Sequence, residues 1–163
     1  MSLFLEDYHR GDAIALGTHL FTAESIKAFA AFYDPQPFHL DEAAAKSSVF
    51  GSLSASGWHT AAVWMKLMVA YELKLTTEIL ARGETPGRLG PSPGFRQMRF
   101  LKPVHAGDII AYTTSVRATE PWPGRPKWGL LLSDNAGVNQ RGETVFTFIG
   151  RVLVERRTPL AQK

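Results

Sequence analysis

The stretch from about Trp58 to Leu75 reads as one long helix, and it is apolar on almost every side: Trp58, Ala61, Ala62, Val63, Trp64, Met65, Leu67, Met68, Val69 and Tyr71 leave little room for a polar face. A helix of that kind has to be enclosed by other elements. His59, Lys66, Glu72 and Lys74 interrupt it, which argues for a buried helix over a membrane span. The rest of the chain must therefore supply a cover.

The second half of the sequence has the composition for it. Residues 95–104, 108–117, 128–134 and 144–154 are rich in β-branched, aromatic and leucine residues. Turn-forming runs separate them: His105-Ala106-Gly107-Asp108, Pro121-Trp122-Pro123-Gly124 and Asn135-Ala136-Gly137. An antiparallel sheet follows, with a weaker strand at 13–20, where Ile14, Leu16 and Leu20 recur at even spacing. Helices first and strands later give an α+β fold in which a curved sheet wraps a central helix. The 163 residues suit a single domain, 1–163. The Pro/Gly-rich run 83–94 reads as a surface excursion or lid, not a linker.

Between the first strand and the long helix lies the chemistry. Thr22 can cap a helix in which Ile26, Phe29, Ala30 and Tyr33 share one face. The helix stops at Asp34-Pro35-Gln36-Pro37-Phe38-His39-Leu40-Asp41, where two prolines keep the backbone from coiling and predict a stiff extended loop. Asp41 can then cap a short helix through Lys46. A carboxylate and an imidazole five residues apart on a stiff segment can move protons. The small residues 51–57 lead into the long helix, whose first turn offers unpaired N–H groups at Gly57.

Composition excludes several other chemistries. Cysteine is absent, so disulfides and thiol nucleophiles are ruled out, which fits a reducing cytoplasm. The first ten residues have neither the basic start nor the apolar run of a signal peptide. A net charge of +3 without a basic stripe gives no nucleic-acid footprint. No histidine has metal-ligand spacing with a partner, no serine sits in a nucleophile elbow, and no Gly-Lys-Ser/Thr follows the small-residue loop. His9, His19 and His105 read as surface or turn residues. Trp64, Met65 and Met68 read as core, and Arg96, Arg99 and Lys102 as an exposed strand face.

The helix 22–33, the run 34–41, Phe50-Gly51 with Ala55-Ser56-Gly57, and Phe100-Leu101-Lys102-Pro103-Val104-His105-Ala106-Gly107-Asp108 together resemble the MaoC-like dehydratases, a group that includes (R)-specific enoyl-CoA hydratases. The resemblance implies a hotdog fold, a homodimer or higher homo-oligomer, and an acyl-CoA thioester substrate with no separate cofactor. It assigns catalysis to Asp34 and His39 and the thioester-oxygen contact to the Gly57 amide, with Ser56 and Trp58 beside it. Glycine at 57 would let backbone and ligand approach closely. Tyr33 and Gln36 stand where the family loop usually has glycine and asparagine, and Ser56 where it often has histidine; the resemblance therefore implies an altered pocket. Trp58 could narrow an acyl tunnel, and His59 and Thr60 could meet a polar acyl group.

Two other readings share this fold. One is thioester hydrolysis, for which Glu72 is an available carboxylate far along the helix. The other is an acyl-CoA-binding subunit without turnover.

Overall fold

The computed structural model describes residues 3–160. One antiparallel sheet contains β1 (Ala13–Leu20), β2 (Gly94–Phe100), β3 (Ile109–Pro121), β4 (Trp128–Asn139) and β5 (Thr144–Glu155), in the order β1-β3-β4-β5-β2. The helices α1 (Ala23–Tyr33), α2 (Pro37–Leu40), α3 (Glu42–Lys46) and α4 (Gly57–Ala81) fall between β1 and β2. The long helix α4 packs across the inner face of the sheet. The edge of Trp64 meets Phe148 at 4.7 Å, and the Tyr112 hydroxyl donates to the Thr60 carbonyl at 3.0 Å. Phe21, Ile26, Val63, Ile110, Tyr112 and Phe146 form the centre of this core, each below a tenth exposed.

Several boundaries differ from the sequence expectations, each for a local reason. Helix α4 runs to Ala81, six residues past Leu75. Strand β4 passes straight through 135–137, because Gly137 is there for packing: a Cβ would sit 3.0 Å from Ile110 and 3.2 Å from Tyr112. The chain turns instead at Gln140-Arg141-Gly142, where Gly142 has φ 77°. Strand β2 ends at Phe100; Leu101 N–H still donates to the Val145 carbonyl at 2.8 Å, and the chain then turns away at Lys102-Pro103. His19 is no surface residue; its ring packs edge-on against Phe21 and its Nε2 is buried.

The most consequential difference concerns α4. The sheet covers one side of it, while Trp58, Met65, Val69 and Leu73 on the other side stay about half exposed or more. The enclosure that its composition demands is incomplete in one copy of the chain. The excursion 83–94 runs antiparallel along the end of β5, fixed there by Gly90 N–H donating to the Leu153 carbonyl and by an Arg88–Glu155 ion pair. No helix of the described residues is long and apolar enough to cross a membrane.

Candidate active site

Helix α1 delivers Asp34. Thr22 accepts from Ser25 N–H at 3.1 Å to start the helix, and Asp34 closes it as C-cap, its own N–H donating to the Ala30 carbonyl. The predicted extended loop is only half right. Pro35 holds the backbone out of the helix, but Pro37 occupies the first position of a single helical turn, where its missing N–H costs nothing. His39 lies inside that turn and just ahead of α3. Asp41 then caps α3 by accepting from Ala44 N–H at 2.8 Å. Two short helices thus hold the imidazole where a loose loop could not.

His39 is 5% exposed, and its two nitrogens have different tasks. Nδ1 lies 2.7 Å from the Ser54 carbonyl, an acceptor, so this nitrogen carries the proton. In the neutral ring Nε2 is then the free base, and it faces Asp34 Oδ2 at 3.5 Å. The Ser54 carbonyl is itself fixed, since Ala55 N–H donates to Val104 at 2.7 Å and Ala106 N–H to Leu53 at 3.1 Å. Phe38 and Phe50 pack around the ring.

Asp34 is held as a carboxylate. Partial burial pushes its pKa up, but hydrogen bonds from the Ser56 hydroxyl and from Gln36, joined by the His39 charge whenever that ring is protonated, outweigh burial and keep it below the usual value. Gln36 Nε2 donates to Oδ1 at 2.7 Å, leaving Oδ2 for the histidine side.

Ser56, 2% exposed, caps α4 and accepts from the Trp58 N–H at 3.2 Å. Gly57 follows at the positive end of the helix dipole, and its N–H makes no hydrogen bond among the described residues. The close approach that requires glycine here is made by the Phe100 ring: a Cβ would lie 2.8–2.9 Å from three of its carbons. Trp58, 56% exposed, stands edge-on to the same ring. Phe100 and the Ser54 carbonyl are the participants that sequence reasoning missed. Phe100 belongs to the run that carries the resemblance but was given no role there, and Ser54 acts through its backbone.

Beside Trp58 opens an apolar groove of about 640 Å³ between α4 and the inner sheet face. Ala61, Met65, Met68, Phe95, Met98 and Phe148 line it, so Met65 is groove wall rather than core. Glu72 lines its far part, fifteen residues and about 22 Å of helix from Gly57. His59 points elsewhere. It stacks on Phe29 of α1 at 4.5 Å and 4°, with burial lowering its pKa to about 4 and His19 adding to the shift.

The family model described as MaoC like domain matches residues 18–126, which include Asp34, His39, Ser56, Gly57 and Phe100. The chain belongs to the MaoC-like family. A MaoC-like dehydratase from Rhodospirillum rubrum is 40% identical, covering 98% of this chain and all of that one, with a TM-score of 0.79. An (R)-hydratase from A. caviae involved in PHA biosynthesis is 21% identical over 93% of this chain and 98% of its own, with a TM-score of 0.62. A Mycobacterium tuberculosis protein described as a double hotdog fold matches at 15% identity over 99% of this chain and 47% of its own, with a TM-score of 0.74. This MaoC-like chain is a hotdog, its long helix lying in the curve of its five-stranded sheet.

Proposed function

We propose that the protein hydrates 2-enoyl-CoA thioesters, or dehydrates the corresponding 3-hydroxyacyl-CoA, with Asp34 and His39 as the acid/base pair. The observation that carries this reading is the 3.5 Å gap between Asp34 Oδ2 and His39 Nε2, two acceptors facing each other while Nδ1 is committed to Ser54. A water seated there donates one O–H to each. As its oxygen attacks C3, the C2=C3 electron pair moves toward the thioester, and the proton removed from water is returned to C2. Hydrogen and hydroxyl add across the double bond, and nothing else is consumed. General acid/base catalysis of this kind contributes about 10² to 10⁴ in rate.

Charge develops on the thioester oxygen during the attack, and the free Gly57 N–H at the α4 N-terminus is the donor suited to receive it. One such donor contributes about 3–4 kcal/mol to the barrier. The apolar groove beside Trp58 takes the acyl chain. Its methionines are unbranched and adaptable, which suits chains of more than one shape. The site acts within a single domain, and a second copy of the chain covers the open side of α4. The family likeness supports both of these statements, together with a role in acyl-CoA metabolism in the cytoplasm.

Thioester hydrolysis would need a carboxylate aimed at the carbonyl, and Glu72 lies about 22 Å of helix away from Gly57. The test follows loss of the conjugated enoyl absorbance for trans-2-enoyl-CoA of several lengths, with Asp34→Asn alongside. Loss that requires Asp34 and releases no free thiol supports hydration. Turnover unaffected by both Asp34→Asn and His39→Ala refutes it, and free CoA thiol would mean hydrolysis.

A further inference from the structure

Strand β2 breaks the alternation of a regular strand at one point. Arg96 pairs with Ile149 and Arg99 with Thr147, so three residues of β2 span two of β5. Gln97, at φ 51°, absorbs the extra residue. Without this bulge two arginines three apart would point to opposite faces of the sheet; with it both point to the same one. A non-glycine residue in the left-handed region is a strained arrangement that the surrounding structure has to maintain.

The face they share is the outer one. Leu130, Leu132, Ile149 and Leu153 cluster there, whereas Phe146, Phe148 and Val152 point to the groove. By strand alternation Arg151 falls on the outer face as well, opposite Gly94 and two residues from Ile149, although part of it also borders the groove. Three arginines thus lie along one face of two paired strands, opposite or at positions 147, 149 and 151 of β5, with Arg96 and Arg99 exposed and Arg151 half-buried.

No carboxylate among the described residues neutralises them. Arg82, Arg88, Arg117, Arg141, Arg156 and Arg157 each pair with a carboxylate. Arg96, Arg99 and Arg151 have no ion pair among the described residues, and Arg151 Nε is buried without a hydrogen-bond partner. The acid on the adjoining strand, Asp134 opposite Ile149, is already engaged by Arg117 at 2.8 Å.

We infer that Arg96, Arg99 and Arg151 form a phosphate-binding site on the outer face of the β2–β5 edge, suited to the closely spaced phosphates of a nucleotide. Guanidinium forks match phosphate oxygens two at a time, and a bound phosphate relieves the mutual repulsion of the three cations. The phosphates come either from the nucleotide end of CoA, which rests on the function proposed above, or from a free nucleotide. Arg99 immediately precedes Phe100, the residue that lies over Gly57, so the site adjoins the catalytic mouth across the thickness of one edge strand.

The experiment is calorimetric titration with inorganic pyrophosphate and with CoA, for the wild type, for Arg96→Gln/Arg99→Gln, and for Arg125→Gln/Lys127→Gln, which removes the same charge elsewhere. The wild type and the second variant are expected to bind both ligands, more weakly as salt rises, and the first to bind them at least tenfold more weakly. Absence of pyrophosphate binding to the wild type, or equal weakening in both variants, overturns the site. Circular dichroism and the melting temperature confirm that each variant is folded. Kinetics then separate the sources. If CoA is the ligand, Arg96→Gln/Arg99→Gln raises KM for enoyl-CoA about tenfold at unchanged kcat and leaves the enoyl N-acetylcysteamine thioester, which has no phosphate, unaffected. Pyrophosphate binding lost with KM for enoyl-CoA unchanged keeps the site and assigns it to a free nucleotide. A protein inactive on both thioesters refutes the proposed hydration while the pyrophosphate titration still decides the site.

Discussion

Replacing Gly57 with alanine separates the packing role of that position from its proposed role in catalysis. The added methyl would lie 2.8 Å from Phe100 Cε2 and 2.9 Å from Cδ2 and Cε1, closer than carbon atoms tolerate, so the ring must move. Phe100 is 47% exposed on an edge strand and can swing outward, but doing so breaks its stack on Phe146 at 5.6 Å and its edge contact with Trp58. Overpacking of this kind costs about 1–3 kcal/mol. Alanine in place of glycine in a helix returns about 0.5–1 kcal/mol. The net expectation is a destabilisation of about 0–2.5 kcal/mol, measured by urea denaturation. In a Phe100→Ala background the obstacle is gone, and the same Gly57→Ala change should stabilise by about 0.5–1 kcal/mol, which makes the coupling between the two sites about 1–3 kcal/mol. If Gly57→Ala costs the same in both backgrounds, the ring is not what requires glycine here. Turnover adds an independent reading: the alanine keeps its N–H, so a rate restored in the double variant would trace the single variant's loss to displacement of the amide by the ring.

Three further outcomes are expected. Ser56→Ala removes both the α4 cap and a hydrogen bond to Asp34. It should cost about 1 kcal/mol in denaturation and raise the Asp34 pKa, shifting the acid limb of the kcat/KM profile to higher pH. His59, with a folded pKa of about 4 against 6.5 for the free side chain, binds protons better when unfolded. Its contribution is therefore complete above pH 6.5 and lost as pH falls toward 4, a decline of about 3 kcal/mol that His59→Phe should abolish in pH-dependent unfolding. Leu73→Arg or Val69→Glu on the open side of α4 should turn a dimer into a monomer in analytical ultracentrifugation, whereas a wild type that is monomeric at micromolar concentration would overturn the proposed second copy.

What could be read from the sequence followed the range of the interactions. Periodicity and caps are local, and both Thr22 and Asp41 cap where their side chains and spacing indicate. Glycine is ambiguous in sequence, because the same residue serves a turn at Gly142, with φ 77°, and a tight packing contact at Gly137. That ambiguity misplaced the β4–β5 turn. In the site, Asp34 and His39 announced themselves by chemistry and spacing. The Ser54 carbonyl that fixes the imidazole tautomer is fifteen residues away and contributes a backbone atom that every residue type possesses. The arginines of β2 looked like an ordinary solvated face until the bulge at Gln97 placed Arg96 and Arg99 on one side.

The long helix sets out the same relation between composition and structure from the other direction. Its all-round apolar surface called for complete enclosure, yet one sheet has a single inner face and covers one side of a cylinder. Trp58, Met65, Val69 and Leu73 share the uncovered side with the mouth of the groove. A cover laid over that side would remove water from the helix and close the groove at the same time. The residues that would be covered by the proposed second copy are therefore also walls of the proposed acyl groove, and a substitution that keeps the chain monomeric should weaken acyl binding even where it leaves Asp34 and His39 undisturbed.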